Sequence, residues 1–260
     1  MNQLKRSQVH KEYISRFCEM LSPSFHEKKI GIVGCGAGSY AAEKLARLCP
    51  ATIKLCDYDR VEFPNLSRTN YTISDAEQKL FKVDALENRL QNINPFIKIE
   101  TLNRDITHMA DGELETFASD LDLLVAGTDY FPAQALMNQI SLQYRIPIIF
   151  VGIHEGAKGG RILWSIPGQS ACYRCMVQER YEALENGDGE SLKLEGAQGT
   201  IIDTQFIDMI ALKISVAILE RNENSPYGHF FFFFFFRNEV VVRCAFDYPY
   251  CNDLQNILLA

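Results

Sequence analysis

The sequence predicts an α/β protein whose core is a doubly wound, mostly parallel sheet with helices on both faces. The first observation is a short apolar run from Lys29, which ends in glycines and is followed by the helical pattern AAEKLARLC and a second apolar run, TIKLC. A strand, a helix and a second strand in this order form a βαβ unit, which requires parallel strands. The second observation is that strand and helix patterns keep alternating as far as Gly152.

The individual elements are predicted from apolar spacing and turn residues. Apolar positions three to four residues apart indicate an amphipathic helical leader over residues 1–28. Further helices are predicted over 79–92, 132–144 and 204–221, and further strands over 97–102, 121–126 and 146–152. Because the regularity weakens beyond Gly168, we divide the chain into the leader 1–28, a main unit 29–168 and an extension 169–260 of the same domain.

The composition excludes several classes of protein. The 260 residues are 47% hydrophobic and 23% charged, which is typical of a globular chain and argues against disorder, collagen and coiled coils. A net charge of −7 disfavours a nucleic-acid partner. The longest apolar run, around Phe230–Phe236, is too short to span a membrane, and the polar N-terminus lacks a secretory signal pattern. We therefore expect a cytoplasmic protein with reduced cysteines and no membrane partner.

A glycine-rich turn stands between the first strand and the first helix of the main unit. Gly34, Gly36 and Gly38 would let the backbone approach a phosphate, whose charge the N–H groups and the helix dipole stabilise. Asp57 follows 21 residues after Gly36, about the spacing at which a carboxylate binds ribose hydroxyls. A nucleotide is the expected ligand, although these residues alone do not separate NAD from ATP, and such glycines can serve helix packing alone. Ser39, in place of the last glycine of the usual G-x-G-x-x-G pattern, disfavours a dehydrogenase.

Five short motifs occur in a fixed order along the chain. They are Asp57-x-Asp59-x-Val61, Asn65-Leu-x-Arg68, Lys82 ahead of a helix ending in Asn-Pro, Thr128-Asp129 after a strand, and Pro-Gly-x-x-x-Cys172-Tyr-Arg-Cys175. Together they resemble the ThiF/MoeB/HesA family of ubiquitin-activating-enzyme-like adenylyltransferases over residues 29 to about 220. The resemblance implies a Rossmann-like fold and an enzyme that uses ATP and Mg²⁺.

The resemblance also implies a role for each residue of these motifs. Arg68 and Lys82 would contact the triphosphate, Asn65 would help to place it, and Asp129 would ligate Mg²⁺. Asp57 would hold the ribose, and Asp59 and the turn glycines complete the nucleotide site. Taken singly, Arg68 and Lys82 could be solvated surface charges, and Asp129 could cap the following helix. Thr69 and Tyr130 replace residues that are usual in the family. These two differences bear on which substrate the protein accepts.

The extension carries a pattern typical of a zinc site. Cys172 and Cys175 have the spacing at which two thiolates grip one zinc ion, and a tetrahedral site needs two further ligands. Cys244 and Cys251 are the candidates, although their separation of seven differs from the second Cys-x-x-Cys usual in the family. The alternatives are that Cys251 ligates beside a non-cysteine residue, or that the metal has been lost. The remaining cysteines, Cys18, Cys35, Cys49 and Cys56, lie in apolar patterns and are expected in the core.

The resemblance implies the reaction and the partners. We expect an adenylyltransferase that activates the C-terminal carboxylate of a small ubiquitin-like or sulfur-carrier protein, or of a short peptide, as acyl-AMP. The polar stretch 178–199 resembles the family's crossover loop and contains no cysteine, so no thioester is expected. A homodimer is implied, with Arg6 and Arg16 as weak candidates for an arginine reaching the partner's ATP. The alternatives are an NAD-dependent oxidoreductase and a catalytically silent nucleotide-binding partner subunit.

Two features are left without a fixed role. The phenylalanine run Phe230–Phe236 is expected to be a buried strand, and could instead line a dimer interface or bind an apolar peptide. His154 is a possible substrate contact, although an isolated histidine is usually structural.

Overall fold

A computed structural model describes residues 3–153, 159–187, 200–229 and 239–243. Seven strands form one sheet: β1 (Lys29–Val33), β2 (Thr52–Cys56), β3 (Lys98–Leu102), β4 (Leu123–Ala126), β5 (Ile148–Ile153), β6 (Gly159–Ser165) and β7 (Glu239–Arg243). The helices are α1 (Gln3–Ile14), α2 (Gly38–Arg47), α3 (Ile73–Glu77), α4 (Lys82–Ile93), α5 (Asp111–Ala118), α6 (Phe131–Tyr144), α7 (Tyr173–Met176), α8 (Gln178–Glu185) and α9 (Ile201–Leu219). Short 3₁₀ turns cover Pro23–Glu27, Phe63–Arg68 and Ile106–His108.

The sheet order is β3-β2-β1-β4-β5-β6-β7, and β1 to β5 are parallel to one another. The predicted Rossmann-like, mostly parallel sheet is therefore confirmed. The chain moves outward from β1 to β2 and β3 and then returns to pair β4 with the other side of β1, which makes the carboxyl ends of β1 and β4 the switch point of the sheet. The sequence patterns did not predict that β6 and β7 continue the sheet in antiparallel pairing.

Both faces of the sheet are buried under helices, as predicted. Successive residues of a strand point to opposite faces, so Ile30 and Ile32 pack in one cluster while Val33 packs in the other. The first cluster takes in the apolar sides of α2, α4 and α9, and the second takes in those of α5 and α6. Strands buried on both faces explain the near-continuous apolar runs of the sequence.

The leader and the end of α9 are tied to each other. The helix of the leader ends at Ile14, earlier than the pattern predicts, and Phe17 then packs against the first core cluster from a turn. The backbone N–H and the hydroxyl of Ser22 both donate to the carboxylate of Glu220, at 2.7 Å each. Glu220 is completely buried, so this carboxylate is satisfied by the leader.

Several predictions from the sequence need correction. The stretch 178–199 was expected to be a loop, but it begins with helix α8, because Tyr181 packs in the second core cluster and Glu185 forms an ion pair with Arg174 at 2.6 Å. Cys18 is exposed beyond the end of α1 rather than buried, whereas Cys35, Cys49 and Cys56 are buried as predicted. Four other predictions fall outside the described residues: His154, Phe230–Phe236, Cys244 and Cys251. In the part of the chain that the structure describes, no helix is long and apolar enough to cross a membrane.

Candidate active site

The glycine turn follows β1 at the switch point of the sheet. Gly34 has a φ of +88°, and a Cβ placed on it would lie 2.6 Å from the backbone carbon of Gly127, so the turns after β1 and β4 touch only because both residues lack a side chain. A Cβ on Gly38 would lie 3.0 Å from a methyl group of Ile32, which fixes how closely α2 packs on β1. Gly36 differs, since a Cβ there would meet nothing within 4 Å. Gly36 thus faces open space at the start of α2.

The N-terminus of α2 has no side-chain cap, and its capping position is Ala37 in helical conformation. Ser39 does not disturb this turn, because its hydroxyl donates back to the Gly36 carbonyl at 2.7 Å. Uncapped N–H groups at a helix start, next to open space, are suited to bind a phosphate.

Asp57 anchors the glycine turn to the end of β2. Its carboxylate accepts hydrogen bonds from the Cys35 N–H at 2.6 Å and from the Asp59 N–H at 2.8 Å. Burial raises the pKa of Asp57, and the Lys82 ammonium and these two N–H groups oppose the shift. Asp57 therefore has a structural role in shaping the turn, beside the ribose contact that the resemblance implies.

Lys82 begins α4 and is buried, with its ammonium 2.6 Å from the Asp59 carboxylate. Burial lowers the pKa of Lys82, but the charges of Asp57 and Asp59 outweigh this effect and raise it. The ammonium is thus a fixed positive charge rather than the solvated surface lysine considered from the sequence. Its ion-pair partner Asp59 lines the cleft that is described next.

A cleft of about 510 Å³, including its open mouth, lies at the carboxyl ends of β1, β2 and β4. It brings together Gly34, the pair Asp57 and Asp59, and Asp129, which come from three distant parts of the sequence. Asp129 is exposed in this cleft and is not a helix cap, because Tyr130 occupies the N-cap position of α6 and no side chain makes a capping hydrogen bond there. An exposed carboxylate is the kind of ligand that Mg²⁺ prefers.

Asn65 and Arg68 lie together on the 3₁₀ turn Phe63–Arg68, which packs against α9. The side chain of Asn65 accepts a hydrogen bond from the Glu62 N–H at 3.1 Å, so it stabilises the start of this turn. Neither residue lines the cleft described above. Their contact with a triphosphate remains a prediction.

Two residues that follow β3, Arg104 and Asp105, also line the cleft and were not predicted from the sequence. Arg104 adds a positive charge to the cleft, 3.9 Å from the Glu113 carboxylate. The only available signal was their place after a predicted strand, since no motif contains them. Tyr71 was missed as well: it is buried, and its hydroxyl donates to the Cys35 carbonyl of the glycine turn at 2.6 Å.

The sulfur atoms of Cys172 and Cys175 lie 3.5 Å apart at the start of α7. In a tetrahedral site with zinc–sulfur bonds of about 2.3 Å, two ligand sulfurs lie roughly 3.8 Å apart, so this pair fits one half of such a site. Among the described residues, no group of three or more metal-binding side chains occurs. Because Cys244 and Cys251 lie outside those residues, the second half of the site stays a prediction.

The fold and the cleft define a Rossmann-like α/β protein with its site at the switch point of the sheet. The chain belongs to the ThiF family, whose model matches residues 10–252. It is 33% identical over 188 residues to ubiquitin-like modifier-activating enzyme 5 of Drosophila willistoni, covering 68% of this chain and 45% of that protein. The enzyme of the same name from Culex quinquefasciatus is 31% identical over 211 residues, covering 77% of this chain and 50% of that protein.

The chain spans about half the length of the curated relatives it matches. Among solved structures, E. coli MccB with ATP superposes with a TM-score of 0.64 at 18% identity, covering 86% of this chain and 66% of MccB. PaaA superposes with a TM-score of 0.63, also at 18% identity, covering 87% of this chain and 76% of PaaA. At this identity the two structures support the fold alone.

Proposed function

We propose that this protein is an ATP- and Mg²⁺-dependent adenylyltransferase that activates a C-terminal carboxylate as acyl-AMP. The observation that carries the proposal is the arrangement of the cleft: a helix start at α2 that no side chain caps, the buried ammonium of Lys82 behind Asp59, and the exposed carboxylate of Asp129. Family membership and the relatives named as activating enzymes support the same reaction. An NAD-dependent oxidoreductase has no comparable use for Lys82 and Asp129.

In this reaction a carboxylate attacks the α-phosphorus of ATP, and pyrophosphate leaves. Phosphate groups would bind the N–H groups of the turn at Gly36, where no side chain obstructs them. Lys82 and Arg68 would neutralise the charge that develops on the phosphates, and Asn65 would help to place them. Asp129 would hold Mg²⁺, which stabilises the leaving pyrophosphate. Asp57 would accept hydrogen bonds from the ribose through lone pairs that the backbone does not use.

The acyl substrate is proposed to be a small ubiquitin-like or sulfur-carrier protein, or a short peptide. The first alternative is supported by the relatives, whose name is ubiquitin-like modifier-activating enzyme. The second is supported by the fold of MccB, which has been solved with the peptide MccA. We further propose a homodimer, cytoplasmic location, and a zinc ion held by Cys172 and Cys175 with Cys244 and Cys251.

The test is exchange of labelled pyrophosphate into ATP, which reports adenylation directly. Asp129→Ala should abolish substrate-dependent exchange while leaving the fold intact, because water cannot replace a metal ligand at the reacting phosphates. Asp111→Ala, which removes an exposed carboxylate at the start of α5, is the matched control and should keep wild-type exchange. Calorimetry should find Mg²⁺-dependent binding of ATP and little binding of NAD. Tight binding of NAD without ATP, or full exchange in Asp129→Ala, would contradict the proposal.

A further inference from the structure

A closed circuit of hydrogen bonds surrounds the glycine turn. The Cys35 N–H donates to Asp57, which also accepts from the Asp59 N–H, and Asp59 in turn binds the Lys82 ammonium. Tyr71 closes the circuit: its hydroxyl donates to the Cys35 carbonyl at 2.6 Å and lies 3.3 Å from the Lys82 carbonyl. The turn after β1, the end of β2 and the start of α4 are thereby held in one arrangement.

The two hydrogen bonds on Cys35 fix two successive peptide groups. Asp57 holds the peptide group between Gly34 and Cys35 through its N–H, and Tyr71 holds the one between Cys35 and Gly36 through its carbonyl. In a planar trans peptide the carbonyl and the following N–H point in opposite directions. The Gly36 N–H therefore points away from Tyr71, and no acceptor for it is found among the described residues.

Tyr71 is well suited to hold this peptide group permanently. It is buried, and burial and the neighbouring Cys35 and Asp57 raise the pKa of its phenol well above the ordinary value. The raised pKa favours the protonated phenol, which is the form that donates to the Cys35 carbonyl. A Cβ on Gly36 would meet nothing within 4 Å, so side-chain packing at this position does not restrict the turn.

We infer that Tyr71 is a positioning residue for the nucleotide: its hydroxyl sets the direction of the Gly36 N–H toward the phosphates and holds the start of α4, which carries Lys82. The inference rests on the proposed function, because it assigns the freed N–H to a phosphate of ATP. It adds a residue from outside the five motifs. Tyr71 does not touch the ligand but acts through Cys35 and Lys82.

The variant Tyr71→Phe tests this role because it keeps the buried ring and removes only the hydroxyl. The expected result is a weakening of Mg²⁺-ATP binding by about tenfold in calorimetry, the effect of one well-placed hydrogen bond. In the exchange assay the KM for ATP should rise by about the same factor, whereas the KM for the acyl substrate should stay within about twofold of wild type. A loss of stability alone would not produce this split.

Ser141→Ala is the matched control. Ser141 is also buried, and its hydroxyl donates to the carbonyl of Ile146 at 2.6 Å, but this bond joins the end of α6 to the loop before β5. Its loss should change urea unfolding about as much as Tyr71→Phe does, with ATP affinity unchanged. Equal ATP affinity in Tyr71→Phe and wild type, or an equal loss in Ser141→Ala, would overturn the inference.

Amide hydrogen exchange tests the same role without ATP. In the ligand-free protein, Tyr71→Phe should speed exchange at the Cys35 amide, which the hydrogen bond to Asp57 protects, by about tenfold relative to the amides of α6, because the turn is no longer held. Unchanged hydrogen exchange at the Cys35 amide would refute the inference. If the wild-type protein binds no ATP at all, the proposed function fails. The rate of amide hydrogen exchange still decides whether Tyr71 fixes the turn.

Discussion

Two buried aspartates, Asp57 and Asp208, differ in whether hydrogen bonds satisfy their carboxylates. Asp57 has a hydrogen bond on each carboxylate oxygen, and both hydrogen bonds shape the glycine turn. Asp208 on α9 is also buried, but its Oδ2 has no hydrogen-bond partner among the described residues. Burial raises the pKa of Asp208 from the ordinary 3.8 to about 7.

The first prediction concerns the pH dependence that Asp208 introduces. Because its pKa is higher in the folded than in the unfolded chain, the folded state holds the proton longer, and stability falls as the pH rises from about 4 to about 7. Asp208→Asn removes this titration and should stabilise the protein by about 2 to 4 kcal/mol at pH 8, with little difference at pH 4. Urea unfolding at both pH values measures the effect.

Glu115→Gln on α5 is the control for this experiment, since it makes the same change of carboxylate to amide at an exposed position. Its effect should stay within about 0.5 kcal/mol at both pH values. If Asp208→Asn destabilised the protein equally at pH 4 and pH 8, the carboxylate would have a partner that binds its charged form.

The second prediction separates two glycines of the same turn. Gly34→Ala combines a left-handed backbone with a Cβ 2.6 Å from Gly127, and should lower the free energy of unfolding by at least about 2 kcal/mol. Gly36→Ala adds a methyl group to open space and should change stability by less than about 1 kcal/mol. It should nevertheless weaken ATP binding, since the methyl group occupies the place of a phosphate. Normal ATP binding by Gly36→Ala would remove this turn from the proposed site.

At the scale of elements, the short helix α7 presents its two cysteines at its N-terminus and at its third residue. Tyr173 lies between them, is buried, and stacks on Phe150 of β5 at 3.8 Å between ring centroids. This stacking holds α7, and with it the two cysteines, against β5. Cys175 is exposed and Cys172 half-buried, which leaves both sulfurs accessible to a metal.

The third prediction concerns the zinc ion that Cys172 and Cys175 are proposed to hold. The purified protein should contain about one zinc per chain, and Cys172→Ser should release it and cost several kcal/mol of stability, because a structural site contributes folding free energy. Cys18→Ser changes another exposed thiol and should leave both quantities unchanged. Metal analysis of the wild-type protein that finds no zinc would contradict the prediction.

The elements differ in how far the sequence predicts them. The unit β1-α2-β2 was predicted because its apolar runs, glycines and helix pattern agree with one another. Helix α8 and strand β6 were not predicted, since their stability depends on contacts with distant parts of the chain, such as Tyr181 with Phe131 at 5.1 Å between ring centroids. The leader helix was predicted too long, because Tyr13, Ile14 and Phe17 pack on the core whether or not the helix continues.

On the scale of the whole molecule, the buried thiols are protected from reaction. Burial raises the pKa of Cys56 to about 12 and that of Cys35 well above its ordinary value, with the Asp57 carboxylate adding to both shifts. A nucleophilic cysteine needs an accessible thiolate, which neither of these residues offers.

The fourth prediction is that the activated carboxylate stays on AMP. Incubation with ATP and the acyl substrate should give an adenylate that hydroxylamine traps, with no covalent adduct on a denaturing gel that dithiothreitol removes. Iodoacetamide should not label Cys35 or Cys56 in the folded protein. An adduct mapped to either cysteine would show that a thioester forms within the core of the site.

The candidate site was predictable from the sequence only where motifs mark it. Asp57, Asp59, Lys82 and Asp129 were predicted, and the structure brings them to one end of the sheet. Arg104 and Tyr71 were not, because they belong to loops whose course depends on the packing of the elements on either side. The hydroxyl of Tyr71 donates to the carbonyl of Cys35, which lies 36 residues earlier in the chain, so no local pattern predicts this contact.

The contact between Gly34 and Gly127 has a consequence for the order of events during synthesis. The ribosome delivers the chain from its N-terminus. The strands β1 and β2 and the residue Asp57, which joins their ends, therefore emerge well before the turn after β4. The nascent chain at that stage lacks the residues after β4 that line the cleft, which are Thr128, Asp129, Tyr130 and Ala133. A ribosome-bound chain stopped before β4 is therefore expected to lack both the contact between Gly34 and Gly127 and the Asp129 carboxylate, and so not to retain a nucleotide.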